Sequence, residues 1–89
     1  MNVDEMIEDD IDNMPMGAYA VLKGIYVGKC RTRKELVYFD DGDWDNIDEG
    51  LNHCLSIGFI SKNLDGYELT EYGKKLVAKI SEEYGWDEE

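Results

Sequence analysis

The stretch Leu51-Asn52-His53-Cys54-Leu55-Ser56-Ile57-Gly58-Phe59-Ile60, followed by Asp65-Gly66-Tyr67-Glu68-Leu69-Thr70-Glu71-Tyr72-Gly73-Lys74-Lys75-Leu76, decides the fold. Ile47, Leu51, Cys54 and Leu55 return at i, i+4, i+7 and i+8, the spacing that gives a helix one apolar face. Gly58 predicts its end, because glycine accepts the left-handed conformation that commonly terminates a helix. Residues 59–62 and 67–70 then flank Asn63-Leu64-Asp65-Gly66, whose Asp-Gly pair is a hairpin turn signal. Thr70 stands where a hydroxyl would cap a closing helix with Leu76, Val77 and Ile80 inward, and Gly85 would release its end.

Working back towards the N-terminus, Pro15 suits the opening turn of a helix. Ala18, Val21, Leu22 and Ile25 supply its apolar face, with Gly28 as its stop. Thr32-Arg33-Lys34-Glu35 fits a capping box opening a short helix through Leu36, Val37 and Phe39. Asp40-Asp41-Gly42-Asp43 is turn chemistry, and Asp43 is placed to cap the helix that carries Ile47.

Helix, glycine stop, hairpin and threonine-capped helix, in that order, resemble the winged helix-turn-helix family over about residues 16–81. Leu51, Leu55, Gly58, Phe59 and Ile60 match its turn into the wing. Tyr67, Leu69, Thr70, Gly73 and Leu76 match its closing segment. The resemblance implies an α+β fold with three helices, a two-stranded wing and a C-terminal helix. It also implies that the helix carrying Leu51 is the one that family members lay in a DNA groove. Fold alone does not fix function, so the groups on that helix decide.

Those groups have the wrong charge for DNA. The chain's 89 residues carry 21 acids against 9 bases, a net charge of −12, whereas proteins held by phosphate contacts are basic. The acidity is uneven. Asp4, Glu5, Glu8, Asp9, Asp10 and Asp12 mark an acidic N-terminal segment, residues 1–13. Glu82, Glu83, Asp87, Glu88 and Glu89 mark an acidic C-terminal tail, residues 82–89. Both read as solvated segments or interaction arms flanking a domain at 14–81. Within that domain Asp40, Asp41, Asp43, Asp45, Asp48 and Glu49 place six carboxylates in ten residues, at the start of the would-be reading helix. Unit charges about 4 Å apart interact by about 1 kcal/mol in water and several times that near a protein surface, so this cluster opposes a phosphate-lined groove.

The expected function is therefore that of a non-enzymatic interaction protein whose carboxylates meet a basic partner. Closely spaced acids can imitate a phosphate backbone, as in the small proteins by which phages and mobile elements inhibit nucleic-acid-binding defence enzymes. Asp40, Asp41, Asp43, Asp45, Asp48 and Glu49 would carry the binding, with Trp44 as an apolar anchor. The alternative, which the resemblance implies, is a transcription regulator. It would dimerise, through the closing helix, and touch DNA with Arg31, Arg33, Lys34, Asn52, Lys62 and Asn63.

Other chemistry finds little support. Asp41-x-Asp43-x-Asp45 starts like a calcium loop, but Asn46 replaces its glycine and Asn52 its bidentate glutamate. His53 and Cys54 are adjacent and diverge by about 100° on a helix, which does not suit a shared metal. No nucleophile–base arrangement, phosphate-cradling glycine loop or cofactor motif is present, so neither a catalytic residue nor a cofactor is expected. The longest apolar run falls short of the roughly 18 residues that span a bilayer. Cys30 and Cys54, without an export signal, suggest reduced thiols in a cytoplasmic protein.

Overall fold

The computed structural model describes residues 2–40 and 43–86. Five helices and one hairpin follow in the order α1 (Val3–Asp12), α2 (Met16–Tyr26), α3 (Arg33–Asp40), α4 (Trp44–Ile57), β1 (Ile60–Asn63), β2 (Gly66–Leu69) and α5 (Glu71–Tyr84). The fold is α+β, consistent with a small winged-helix-like domain closed by a C-terminal helix. Four helices, rather than the expected three, precede the hairpin among the described residues.

Local chemistry sets most boundaries. The Thr32 hydroxyl accepts from the Glu35 amide at 3.1 Å, while Glu35 Oε1 accepts from the Thr32 amide at 3.1 Å and the Arg31 amide at 2.9 Å. This is the reciprocal capping box that opens α3. The Asp43 carboxylate caps α4 by accepting from the Asp45 amide at 3.0 Å. Gly58, at φ 96°, ends that helix in the left-handed region. Thr70 caps α5 through the Gly73 amide at 3.0 Å and also ties its own amide to the Phe59 carbonyl at 3.0 Å. The end of α2 differs from expectation: its left-handed residue is Lys29, at φ 57°, and not Gly28. Gly28 is needed for space, because a Cβ there would stand 2.6 Å from the Phe39 ring.

The hairpin is antiparallel, with Ile60 opposite Leu69 and Asn63 opposite Gly66. Its first strand lies one residue later, and its second one residue earlier, than the pattern suggests. The Tyr67 amide donates to the Arg31 carbonyl at 2.7 Å and so fastens the hairpin to the α2–α3 connection. Ile60 and the fully buried Phe59 anchor it beneath α5.

The core joins Ala18, Val21 and Leu22 of α2, Leu36 of α3, Ile47 and Cys54 of α4, and Leu76, Val77 and Ile80 of α5. One expected core residue is corrected: Leu55 is 39% exposed. It lies about 100° round the helix from Cys54, beyond the edge of the buried stripe.

The acidic N-terminal segment is corrected as well. It forms α1, capped by the Asn2 side chain, and lies against α5. Ile7, Ile11 and Met14 enter the core while the carboxylates face outward, apart from the half-buried Asp10. Lys79 pairs with Glu8 at 3.2 Å, the Tyr72 hydroxyl donates to Asp10, and the Tyr19 hydroxyl donates to the Ile11 carbonyl at 2.9 Å. At the other end Gly85 caps α5 at φ 73° and Trp86 turns back onto the core; residues 87–89 lie outside the described set.

Candidate interaction surface on the fourth helix

With Ile47, Gly50, Leu51 and Cys54 buried, the opposite ridge of α4 is fixed by the helical repeat. It carries Asp45, Glu49, Asn52 and Ser56, all exposed and spaced i, i+4, i+7 and i+11. The first half of the ridge is acidic and the second neutral. Asp40, at the end of α3, and the capping Asp43 are exposed beside its start. Asp41 lies outside the described residues.

Asp48 sits on the flank that faces α3 and is bound there. The Arg33 guanidinium donates from Nε to Oδ1 at 2.5 Å and from Nη2 to Oδ2 at 2.8 Å. The same guanidinium lies 4.3 Å from the centre of the Trp44 ring. One arginine therefore covers both an expected binding carboxylate and the expected apolar anchor. Its hydrogen bonds hold the Asp48 carboxyl below its ordinary value of 3.8 and push the Arg33 guanidinium up. Trp44 remains 45% exposed, so its free face and edge still reach solvent.

The residues expected to touch nucleic acid do not converge on one basic strip. Arg31 is 3.9 Å from Glu68 of the hairpin, and Arg33 is committed to Asp48. Lys62 reaches back over the Tyr67 ring at 5.5 Å. Asn63 Oδ1 accepts from the Asp65 amide at 2.9 Å and shapes the turn. Asn52 is exposed on the α4 ridge, and Lys34 is exposed at the start of α3, away from it. Elsewhere Lys74 lies 3.5 Å from Glu71, and Lys29 donates to the Tyr26 carbonyl at 3.0 Å.

Apolar groups add to this surface. Leu55 and Ile57, 39% and 41% exposed, flank the neutral half of the ridge, and Leu64 projects fully from the hairpin turn. Leu64 was readable from its place between Asn63 and Asp65, whereas Leu55 was misread because i+8 matches the apolar repeat. Among the described residues no three His, Cys, Asp or Glu side chains are grouped to hold a metal ion. No helix among them is long and apolar enough to cross a membrane.

No family model matches the chain, and no solved structure matches it. An uncharacterized protein of Methanocaldococcus jannaschii is 38% identical to it over 50 residues, 56% of this chain and 52% of that protein. The chain thus spans about half the length of this curated relative.

Proposed function

We propose that the protein is a non-enzymatic, cytoplasmic interaction module of the winged helix-turn-helix family that presents its fourth helix to a basic protein. A nucleic-acid-binding enzyme is the natural class of partner, with the carboxylates standing in for phosphates. The observation that carries this reading is the distribution of counter-charges. Asp40, Asp45 and Glu49 are exposed with no ion pair among the described residues, while Arg31, Arg33, Lys74 and Lys79 are each paired with an acid. The field over the ridge is therefore negative, reinforced by a chain charge of −12, and would steer a basic partner while opposing DNA.

Apolar groups at Leu55, Ile57 and Leu64 support a protein partner over a phosphate backbone, since interface cores combine such side chains with a polar rim. Buried free thiols at Cys30 and Cys54 suit a reducing compartment.

The test is capture of partners from a lysate by the protein and by an Asp45→Lys/Glu49→Lys variant, each at low and high salt. Capture of basic proteins that fades with salt and disappears in the variant is expected. Equal capture by both proteins overturns the proposal. A low-salt shift of random duplex DNA would move the reading to a dimeric transcription regulator.

A further inference from the structure

A cleft of about 710 Å³ opens where the start of α2 meets the end of α5 and the start of α4. Tyr19, Tyr84 and Trp86 give it aromatic walls, and Met16 stands at its rim. Met16 is 82% exposed and Tyr84 63% exposed, costs in apolar surface that the fold itself does not require. Asp40 lines the same cleft and also belongs to the acidic approach to α4, so the two surfaces are continuous. Lys23 is the one base among the lining residues. Burial first, then the charges of Tyr84, Asp12 and Glu83, push the phenol of the lining Tyr19 up.

We infer that this cleft receives an arginine- or lysine-bearing, partly apolar segment of the same basic partner, with the aromatic faces taking the side-chain stems and cations. The inference rests on the reading of α4 as a face for a basic protein. Aromatic rings attract cations over their faces, and nearby carboxylates strengthen the preference for a basic occupant. The molecule already uses this geometry internally, where Arg33 lies over Trp44. A second copy of the chain is a poor occupant, because each copy brings a charge of −12 and Asp40 lines the cleft.

The experiment uses a capped hexapeptide alternating arginine with leucine, and a control peptide with glutamate in place of arginine. A Trp44→Phe background leaves Trp86 as the sole indole, so its emission reports the cleft. The arginine peptide is expected to shift that emission and the control to leave it unchanged. Tyr84→Ala, at a site 63% exposed, is expected to weaken peptide binding about threefold or more. Asp45→Lys/Glu49→Lys leaves the cleft intact, so retained peptide binding there assigns the site to the cleft and not to the ridge. Three results overturn the inference: no change at Trp86, equal binding by Tyr84→Ala, or loss of the peptide in the ridge variant alone. So does sedimentation showing a dimer that Tyr84→Ala dissolves, because the occupant is then a second copy. Failure here leaves the lysate test of α4 standing, since that test reads the ridge without the peptide.

Discussion

Gly17 of α2 and Gly50 of α4 bring two helix backbones into direct contact. A Cβ on Gly50 would stand 2.1 Å from the Gly17 carbonyl oxygen, and one on Gly17 would stand 2.1 Å from the Asn46 carbonyl oxygen. Both obstacles are backbone, so neither can swing aside. The crossing sets how far the first half of α4, with Asp45 and Glu49, stands out from the domain.

Gly50→Ala is therefore expected to force the helices apart and to cost about 2–4 kcal/mol, the range of severe overpacking. For a chain of this size that lowers the thermal midpoint by roughly 10 °C or more. Gly58→Ala makes a useful comparison. Gly58 has φ 96° but nothing within 4 Å of its Cβ position, so only the left-handed penalty of about 1 kcal/mol applies. Thermal scans of the two variants check the order; a Gly58→Ala loss equal to or greater than that of Gly50→Ala would contradict the crossing.

The N-terminal helix yields a second comparison. Ile7 is buried between α1 and the rest of the core, whereas Met6, next to it, is 44% exposed. Ile7→Ala is expected to destabilise by about 2–4 kcal/mol and Met6→Ala by under about 0.5 kcal/mol. Urea denaturation followed by circular dichroism separates them. Equal and negligible effects would return residues 1–13 to the status of a solvated arm.

The Arg33–Asp48 pair makes a prediction with a definite sign. Asp48 titrates lower in the folded protein than its ordinary 3.8, so its contribution to stability is present above that value and is lost as pH falls through the depressed one. The stability gap between the wild type and Arg33→Ala should hold from neutral pH down to about 4 and close below it. Arg33→Lys should not recover the lost stability, because an ammonium lacks the planar two-point fork. If α4 meets a basic partner, Arg33→Ala should also tighten that complex and steepen its salt dependence, since Asp48 is then uncompensated. A pH series of urea midpoints tests the first claim and binding at several salt concentrations the second.

How legible this arrangement was in the sequence follows from the range of each interaction. The caps at Thr32, Asp43 and Thr70 and the stop at Gly58 bond within a few residues, and their chemistry is readable in place. Arg33 and Asp48 are 15 residues apart on different helices, so nothing local announced that the acidic cluster would lose one member to its own domain. Gly17 and Gly50 were silent for the same reason: a mid-helix glycine acquires meaning only from the neighbouring helix. α1 was legible and missed. Ile7, Ile11 and Met14 recur at i, i+4 and i+7, but the run of acids between them gave the segment the composition of a tail.

Alkaline pH should loosen the clasp between α1 and α5. The Tyr72 hydroxyl donates to Asp10 while its ring stacks on Phe59, with centroids 5.6 Å apart. Burial, then the Asp10 hydrogen bond, then the charges of Asp10 and Asp9, push the phenol from 10.0 up to about 12. A raised value in the folded state means that the native protein holds this proton when the unfolded chain has released it. The stabilisation is thus complete below pH 10 and drains away as pH rises towards about 12. Cys54, pushed up to about 12 by burial, acts in the same sense from 9.0 upward, and Cys30 and Tyr19 are also raised. The wild-type curve is therefore composite, and the difference between the wild type and Tyr72→Phe isolates one group. That difference should be constant from neutral pH to about 10 and then shrink, because phenylalanine has no proton to lose. Urea midpoints measured between pH 8 and 12 supply the curve; a gap that widens above pH 10 would mean that the hydroxyl is not held in its neutral form by Asp10.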